Sequence, residues 1–572
     1  MPVHNADIAR ILEEVGDLLE IKGANPFRVR AYRDAARAVK SRASDLAGRV
    51  RDGFDLTAIE GVGEDLAGKI QEIIETGELA QHQQLLEELP SGLLDVLKVE
   101  GVGPRKAADL YEKLGVSDLP SLRRAAREHK IRELSGFGAR TEQNILERIG
   151  QAEESGQRMR LDLAEEYAEP LAEFLRSVEG VKAAEIAGSL RRRKQTVGDV
   201  DILVSARHGA PVMDAYTGYD DVDRIISKGE TKSTVILKNG LQVDVRLLPH
   251  ASFGAALHYF TGSKAHNVAI RKIARDRGWK INEYGVFEGK KKIAGQTEQE
   301  VYEVMDMACV PPELREDKGE IEAARNNELP ELITQNDVRG DLHAHTKATD
   351  GRNSLKEMAE AARDMGYEYL AVTEHSKKVA VAGGLDEKAL RGQIQAIDKL
   401  NDELDGITLL KGCEVDVLED GSLDLPDSVL QELDLTVCSV HSDFAMGQDA
   451  MTERILRAMD NPNFTILGHP TGRKLGEREP YHVDLQRILE AAAERGCFLE
   501  VNAQPERLDL DDDHCRAAKQ AGVKLAVSTD AHRIGELEFI RFGLGQARRG
   551  WIEKHDVINT RPLDQLRKLL AR

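Results

Sequence analysis

The sequence has no run of about 18 apolar residues, which excludes a helical membrane span. It also lacks an apolar N-terminal signal segment. In its place Ile8, Ile11, Leu12, Val15, Leu18 and Leu19 recur at helical spacing. Cysteine is scarce: five residues, scattered, odd in number and never in a C-x-x-C pair. That argues against a thiolate zinc site and for a reducing cytosol, so a cytoplasmic protein is expected. An excess of positive charge is missing too, the formal net being −21. The deficit is uneven. Residues 1–150 hold 22 Lys+Arg against 26 Asp+Glu, residues 151–320 hold 25 against 28, and residues 321–572 hold 32 against 46. Charge therefore neither supports nor excludes a nucleic-acid partner for the first 320 residues; clustering of cations on one face would decide it. At 572 residues the chain exceeds one core, and roughly three to five domains are expected.

What is present changes along the chain. Residues 1–150 read as short helices with three similar turns, Glu60-Gly61-Val62-Gly63, Glu100-Gly101-Val102-Gly103 and Ser135-Gly136-Phe137-Gly138. A G-x-G turn before a helix leaves N–H groups unpaired at a positive helix end, where a phosphate fits without touching a base. Three such turns resemble helix-hairpin-helix motifs, which grip DNA backbone; plain helix punctuation is the competing reading. From about residue 180 strands are expected at 183–186, 200–204, 235–237 and 243–247, then mixed helix and turn over 250–315. Residues 316–337 are charged, have no apolar period and read as a linker. Beyond Val338, apolar strands alternate with amphipathic helices, as βα units do.

Two constellations carry chemistry. In Gly198-Asp199-Val200-Asp201, residues two apart share a strand face, so both aspartates point one way while Val200 and Ile202 face the core. Asp244 sits among valines in Gln242-Val243-Asp244-Val245-Arg246. Three carboxylates on neighbouring strands repel unless cations lie between them, the arrangement that lets two Mg²⁺ ions clamp an in-line phosphoryl transfer. Upstream, Gly188-Ser189-Leu190-Arg191-Arg192-Arg193 supplies donors suited to a triphosphate. The second constellation is in the last third: His343, His345, Asp350, His375, Glu414, His441, His469, Asp530 and His532, placed at the ends of successive apolar strands counted as seven. A lone histidine is more often structural than a ligand, but nine metal-type residues at strand C-termini fit the rim of a βα barrel. With one shared, they serve three metals and leave positions for water.

These residues resemble the family X DNA polymerases, typified by DNA polymerase beta, in the bacterial and archaeal form with a C-terminal PHP (polymerase and histidinol phosphatase) domain. The resemblance covers essentially the whole chain. It implies a multidomain α/β protein: helical helix-hairpin-helix N-terminal domains, a mixed α+β nucleotidyltransferase palm and thumb, and a distorted (β/α)7 PHP barrel. The boundaries read 1–80 lyase-like DNA-binding domain, 81–150 fingers, 151–250 palm, 251–315 thumb, 316–337 linker and 338–572 PHP phosphoesterase. It implies that Asp199, Asp201 and Asp244 hold Mg²⁺ or Mn²⁺, and that Gly188, Ser189, Arg192 and, by its distance upstream, Arg158 meet the nucleotide triphosphate. Tyr259, Phe260 and Gly262 of Tyr-Phe-Thr-Gly-Ser would lie beside the nucleotide sugar, with Asn267 and Arg271 at the nascent pair; Lys264 departs from the acid of polymerase beta. Gly61, Gly63, Gly101, Gly103, Gly136 and Gly138 would meet DNA backbone. Lys69 matches the lyase nucleophile, while Glu64 and Asp65 beside it would raise its pKa and repel a sugar phosphate, leaving lyase activity open.

The resemblance also groups the barrel ligands. His343, His345, Glu414 and Asp530 would hold one metal, the shared Glu414 with His441 and His469 a second, and Asp350, His375 and His532 a third, as Zn²⁺ and/or Mn²⁺. It implies gap-filling DNA repair synthesis on gapped or nicked DNA with dNTPs, a 3′-5′ exonuclease and AP endonuclease or 3′-phosphodiesterase chemistry, in a monomer with no membrane association. The alternatives are a PHP phosphoesterase tethered to DNA by an inactive polymerase-like module, and a non-enzymatic DNA-binding scaffold.

Overall fold

The N-terminal helical spacing becomes α1 (Asn5–Ile21), which buries Ile8, Ile11, Leu12, Val15, Leu18 and Leu19. The computed structural model describes residues 3–571 apart from 41–45, 52, 60, 91, 98, 100–101, 135, 139 and 147–157. Among them no helix is long and apolar enough to cross a membrane. Helix α2 (Pro26–Lys40) packs along α1 through Val29, Tyr32, Ala35, Ala36 and Val39. Its other face carries Arg30, Arg33, Arg37 and Lys40. The first glycine turn opens α3 (Glu64–Thr76), with Gly63 as N-cap. The second opens α4 (Pro104–Leu114), where Gly103 is the N-cap and Pro104 fills a first-turn position that needs no N–H. Gly61 and Gly136 turn at φ of 82° and 87°, while Gly101 lies outside the described residues. One apolar cluster runs from Val3 to Ile145, so the two N-terminal segments share a core.

The palm follows. Helix α5 (Leu161–Ser177) backs a five-stranded sheet of β1 (Val181–Ile186), β2 (Asp199–Ala206), β3 (Val222–Lys228), β4 (Lys232–Leu237) and β5 (Gln242–Leu247). The strand order is β1-β2-β5-β4-β3, with β2 and β5 parallel and the other pairs antiparallel. Edge strand β3 was not expected. Its residues after Val222 are all exposed, Ile225 and Ile226 included, so no burial alternation marks it. The thumb contains α6 (Phe253–Thr261), α7 (Lys264–Asp276) and a three-stranded antiparallel sheet over residues 279–294.

Residues 316–337 are not a free linker. They contain α8 (Glu320–Asn326), whose buried Ala324 joins the thumb cluster together with Ile321, Leu329 and Leu332. Ile333 enters the barrel core. Glu320 is fully buried, accepts from the N–H groups of Asp317 and Lys318 at 2.9 and 2.7 Å, and faces His266 Nδ1 at 2.6 Å. Part of the charge that makes this stretch look solvated is engaged in pairs, Glu316 with Arg192 and Arg549, Lys318 with Asp512, Glu320 with His266.

The last third is a sheet of seven parallel strands in chain order: β6 (Gly340–Asp341), β7 (Tyr369–Val372), β8 (Thr408–Asp416), β9 (Leu435–Ser439), β10 (Ile466–Leu467), β11 (Phe498–Asn502) and β12 (Leu525–Ser528). A parallel bridge between Ala344 and Ala531 ties the first strand to the last, so the sheet nearly closes into a barrel. Every residue of β7 and β9 is buried, as strands covered on both faces must be.

Candidate functional site

In the palm, strand register builds the site. Asp201 on β2 pairs directly with Asp244 on β5, and Asp199 lies two residues away on the same face. Asp244 accepts from Thr234 Oγ1 at 2.6 Å, and Lys232 Nζ lies 2.9 Å from its other oxygen. Arg246 approaches Asp244 at 3.5 Å and Asp201 at 3.9 Å, under the Phe260 ring at 4.5 Å. Burial and the Asp199 charge push Asp201 up to about 6. An all-oxygen acid set under mutual repulsion fits hard divalent cations such as Mg²⁺. Gly188 sits over this set at φ +65°, and a Cβ there would lie 3.1 Å from Asp201 Oδ2. A larger residue would both strain the turn and crowd the carboxylate.

Around the acids, the expected nucleotide contacts are only partly free. Arg192 Nε is 2.9 Å from Glu316, and its Nη1 donates to the Thr261 carbonyl at 2.7 Å. Arg191 is tied to Glu298, and Arg193 to Glu165. Of the run read as triphosphate donors, Arg191 and Arg192 therefore tie palm to thumb, and Arg193 stays within the palm. Arg158 donates to Thr196, two residues before Gly198. The Tyr259-Phe260-Thr261-Gly262-Ser263 stretch ends α6 and caps α7, Ser263 Oγ accepting from the His266 N–H. Asn267 donates to the carbonyls of Tyr259 and Gly262 at 2.7 and 3.1 Å, and Arg271 donates to the Asn267 carbonyl at 3.1 Å. A Cβ at Gly262 would stand 2.8 Å from Asn267 Oδ1.

Lys69 projects from α3 toward Tyr32, 5.5 Å from its ring, and is paired with Asp65. Burial pulls its pKa down, but Asp65 and Tyr32 outweigh it and hold the amine up. A Schiff-base lysine needs the opposite shift.

The barrel rim gathers all nine of its expected residues. His343, His345 and Asp530 form one group of donor atoms, His345, Asp350, His375 and His532 a second, and His375, Glu414 and His441 a third. His469 Nε2 joins through Glu414 Oε1 at 3.0 Å, and His441 Nε2 lies 3.2 Å from the same oxygen. The other oxygen, Oε2, lies 2.8 Å from His375, 3.5 Å from His343 and 3.6 Å from His345. Glu414 thus lies between the groups, one oxygen to each side, as a shared ligand would. His345 and His375 also stand between groups, a finer sharing than the threefold assignment expected.

Three observations fit this set to metal ions. First, His343 Nε2, both nitrogens of His345, His375 Nδ1, His469 Nδ1 and Glu414 Oε2 are buried without hydrogen-bond partners. Second, the imidazoles compete for protons. Against the pull of burial, Glu414 and Asp350 raise His375 to about 10, and Glu414 and Asp416 raise His441 to about 9. Burial beside His532 and His375 pushes His345 down to about 3, and burial beside Arg507 does the same to His469. Third, His469 and Asp530 hold left-handed backbone, φ 27° and 54°. Such strain persists only where surroundings enforce it, and it aims both side chains inward. The nitrogen-rich donors suit Zn²⁺ or Mn²⁺.

Sequence reasoning missed the supporting shell. Glu500 Oε1 is 2.7 Å from His343 Nδ1, and its Oε2 accepts the His469 N–H at 2.6 Å. It therefore fixes which nitrogen of His343 faces the metals. Asp416 lies 3.4 Å from His441 Nδ1, and Asn502 donates to Asp530 Oδ2 at 3.1 Å. The signal was there: Glu500 is an acid inside the apolar strand Phe498–Asn502, as Glu414 is in β8. Arg507, 3.8 Å from Asp530, keeps Nη1 buried and unpartnered at the edge of the cluster. A cavity of about 1020 Å³ opens over the ligands.

Four family models match along the chain. A helix-hairpin-helix domain matches residues 3–79, a SAM-like helix-hairpin-helix tandem 93–151, a DNA polymerase beta thumb 256–316 and a PHP domain 341–504. The DNA polymerase/3′-5′ exonuclease PolX of Bacillus subtilis is 38% identical over the full length of both chains. A probable phosphatase of Thermoanaerobacter is 29% identical over 38% of this chain and 89% of its own. Another, from Clostridium acetobutylicum, is 30% identical over 34% of this chain and 78% of its own. The chain belongs to the family X DNA polymerases that carry a C-terminal PHP domain.

Proposed function

We propose that the chain fills short DNA gaps at the palm and removes 3′-terminal nucleotides at the barrel, as a two-site repair enzyme. The observation that carries the polymerase half is the β2–β5 register that sets Asp201 across from Asp244 with Asp199 beside them. Bound divalent metals would lower the pKa of an attacking hydroxyl or water and neutralise phosphate charge at both sites. Asp199, Asp201 and Asp244 would hold two Mg²⁺ or Mn²⁺ ions, and the nine barrel ligands three Zn²⁺ and/or Mn²⁺. Gly188 leaves room for phosphate oxygens beside Asp201, and Ser189 lies in the same turn. Arg192 reaches a triphosphate only after releasing Glu316, which couples nucleotide entry to movement between palm and thumb. Tyr259 and Phe260 wall the sugar side, with Asn267 bracing the Gly262 turn and Arg271 reaching the nascent pair. The turns at Gly61–Gly63, Gly101–Gly103 and Gly136–Gly138 offer backbone N–H groups to DNA phosphates. At the barrel, Glu414 spans the cluster, Glu500 orients His343, and Arg507 is placed to hold a phosphate oxygen.

The second reading is a phosphatase tethered by an inert polymerase module, favoured by the barrel-only relatives that are named probable phosphatases. Primer extension and 3′-tail digestion by the full chain separate the two. Asp199→Ala should abolish nucleotide addition and leave digestion intact, because losing a bridging carboxylate empties only the palm. Glu414→Gln should do the reverse. Primer extension by Asp199→Ala at the unsubstituted rate would remove the palm assignment.

A further inference from the structure

The cavity above the barrel metals has a wall that the PHP domain does not supply. Arg30, Arg33, Arg37 and Lys40 of α2 line it together with Asp350, Glu414, Asp530, His375, His441, His469 and His532. Their spacing of three, four and three residues puts all four on one helical face. At the 1.5 Å rise of a helix the row is about 15 Å long, four to five nucleotides of a stacked strand at ~3.4 Å each. Arg30, Arg33 and Arg37 also line a second cavity of about 550 Å³, which continues to Arg105. Arg105 follows Pro104 in the first turn of α4, just past the second glycine turn. The two cavities therefore form one corridor from a hairpin turn to the metal cluster.

The junction is tied. Asp34 on α2 pairs with Arg37 on its own helix and with Arg352 of the barrel rim at 3.4 Å. Arg533, beside ligand His532, lines the same cavity with Arg352 and Arg37. Arg33 is held by Asp17 and Glu20 at 2.6 and 2.7 Å, while Arg30 has no acid partner among the described residues. Lys and Arg number nine in the larger cavity, as do Asp and Glu, in a chain of net charge −21. Three of those acids are the proposed metal ligands, so with metals bound the cavity would be positive. As a cube its volume would be about 10 Å on edge, narrower than a duplex, whose two grooves alone are ~8.5 and ~7.5 Å deep. An unpaired strand fits it; a double helix does not.

We propose that the α2 row Arg30–Arg33–Arg37–Lys40 is the strand-holding wall of the barrel site, gripping the phosphates of an unpaired DNA 3′ end between Arg105 and the metals. It rests on the reading of the barrel as a nuclease. The hairpin domain thus serves the hydrolytic site as well as the polymerase. The row acts by holding substrate and takes no part in bond cleavage.

The test uses the full chain with Mn²⁺ and two substrates, a 3′-tailed duplex and bis(4-nitrophenyl) phosphate, a diester too small to reach α2. Arg30→Glu/Arg37→Glu should raise KM for the tailed DNA about tenfold with kcat little changed. It should also lower the salt exponent by about 1.4, at ~0.7 per lost single-strand contact. Hydrolysis of the small diester should be unchanged. Arg124→Glu/Arg127→Glu makes the same charge change on the helix Leu119–Arg127, outside the corridor, and should leave KM within twofold. An unchanged KM in the α2 variant, or an equal rise in the Arg124/Arg127 control pair, overturns the proposal. If the unsubstituted chain cleaves the small diester but no DNA, the nuclease reading itself fails. Should the charge reversal also lose small-diester activity, Arg30→Ala/Arg37→Ala replaces it under the same criteria.

Discussion

Glu500 is the residue on which the barrel site's geometry most depends without being a ligand. It holds His343 at one oxygen and the His469 backbone at the other. Glu500→Gln should lower metal affinity about 10- to 100-fold, the usual effect of losing a carboxylate behind a metal-bound histidine. Metal titration of the chelator-stripped protein would measure it; affinity within twofold of the unsubstituted chain would reject the orienting role. At the palm, Gly188→Ala places a methyl 3.1 Å from Asp201 Oδ2 at positive φ, a backbone cost of about 1–2 kcal/mol before any crowding. Primer extension should fall at least tenfold while 3′-tail digestion stays constant, since nothing at Gly188 reaches the barrel cluster. Loss of both activities would point to misfolding instead. Both residues act through neighbours brought together by the fold, although each is visible in the sequence as a type.

Among the elements, α8 departs furthest from expectation. The segment 316–337 has the composition of a spacer, yet Glu320 is buried with two backbone donors and His266 around it. Removing an acid from such a site leaves buried donors unpaired, which costs about 1–3 kcal/mol. Glu320→Ala should therefore lower the denaturant midpoint and slow primer extension, with equilibrium unfolding followed by the fluorescence of Trp279 and Trp551, both packed against the thumb cluster. A midpoint unchanged within error would mean that α8 contributes nothing to thumb stability. The strands tell the complementary story. Alternating Asp199 and Asp201 with buried Val200 and Ile202 made β2 readable, because period-two burial survives any choice of neighbour. β3 has no buried alternation and forms only because β4 offers it an edge, so no local pattern announces it.

At the scale of the whole molecule, metals should stabilise the barrel more than any other part. A ligand at about 1,000 times its Kd adds ~4 kcal/mol to the domain that binds it. Chelation should lower the thermal midpoint of the barrel transition, and Glu414→Gln should remove most of that difference, since Glu414 contacts both sides of the cluster. Calorimetry with and without chelator checks it; an equal chelator effect in the variant would disprove the shared-ligand role. The sequence by itself determined which nine metal-type residues stand at the barrel strand ends, the three palm carboxylates, the glycine turns and the βα order of the last third. Each of these is a local pattern, a residue type at a strand end or a turn before a helix, and such patterns are set by backbone geometry within a few residues. Only the tertiary structure decided which acids meet across strands, that Arg192 is occupied by Glu316, that Glu500 stands behind His343, and that the arginine face of α2 closes over the barrel. Those facts join residues far apart in the chain, and long-range packing fixes them through register and domain contact that no local spacing encodes.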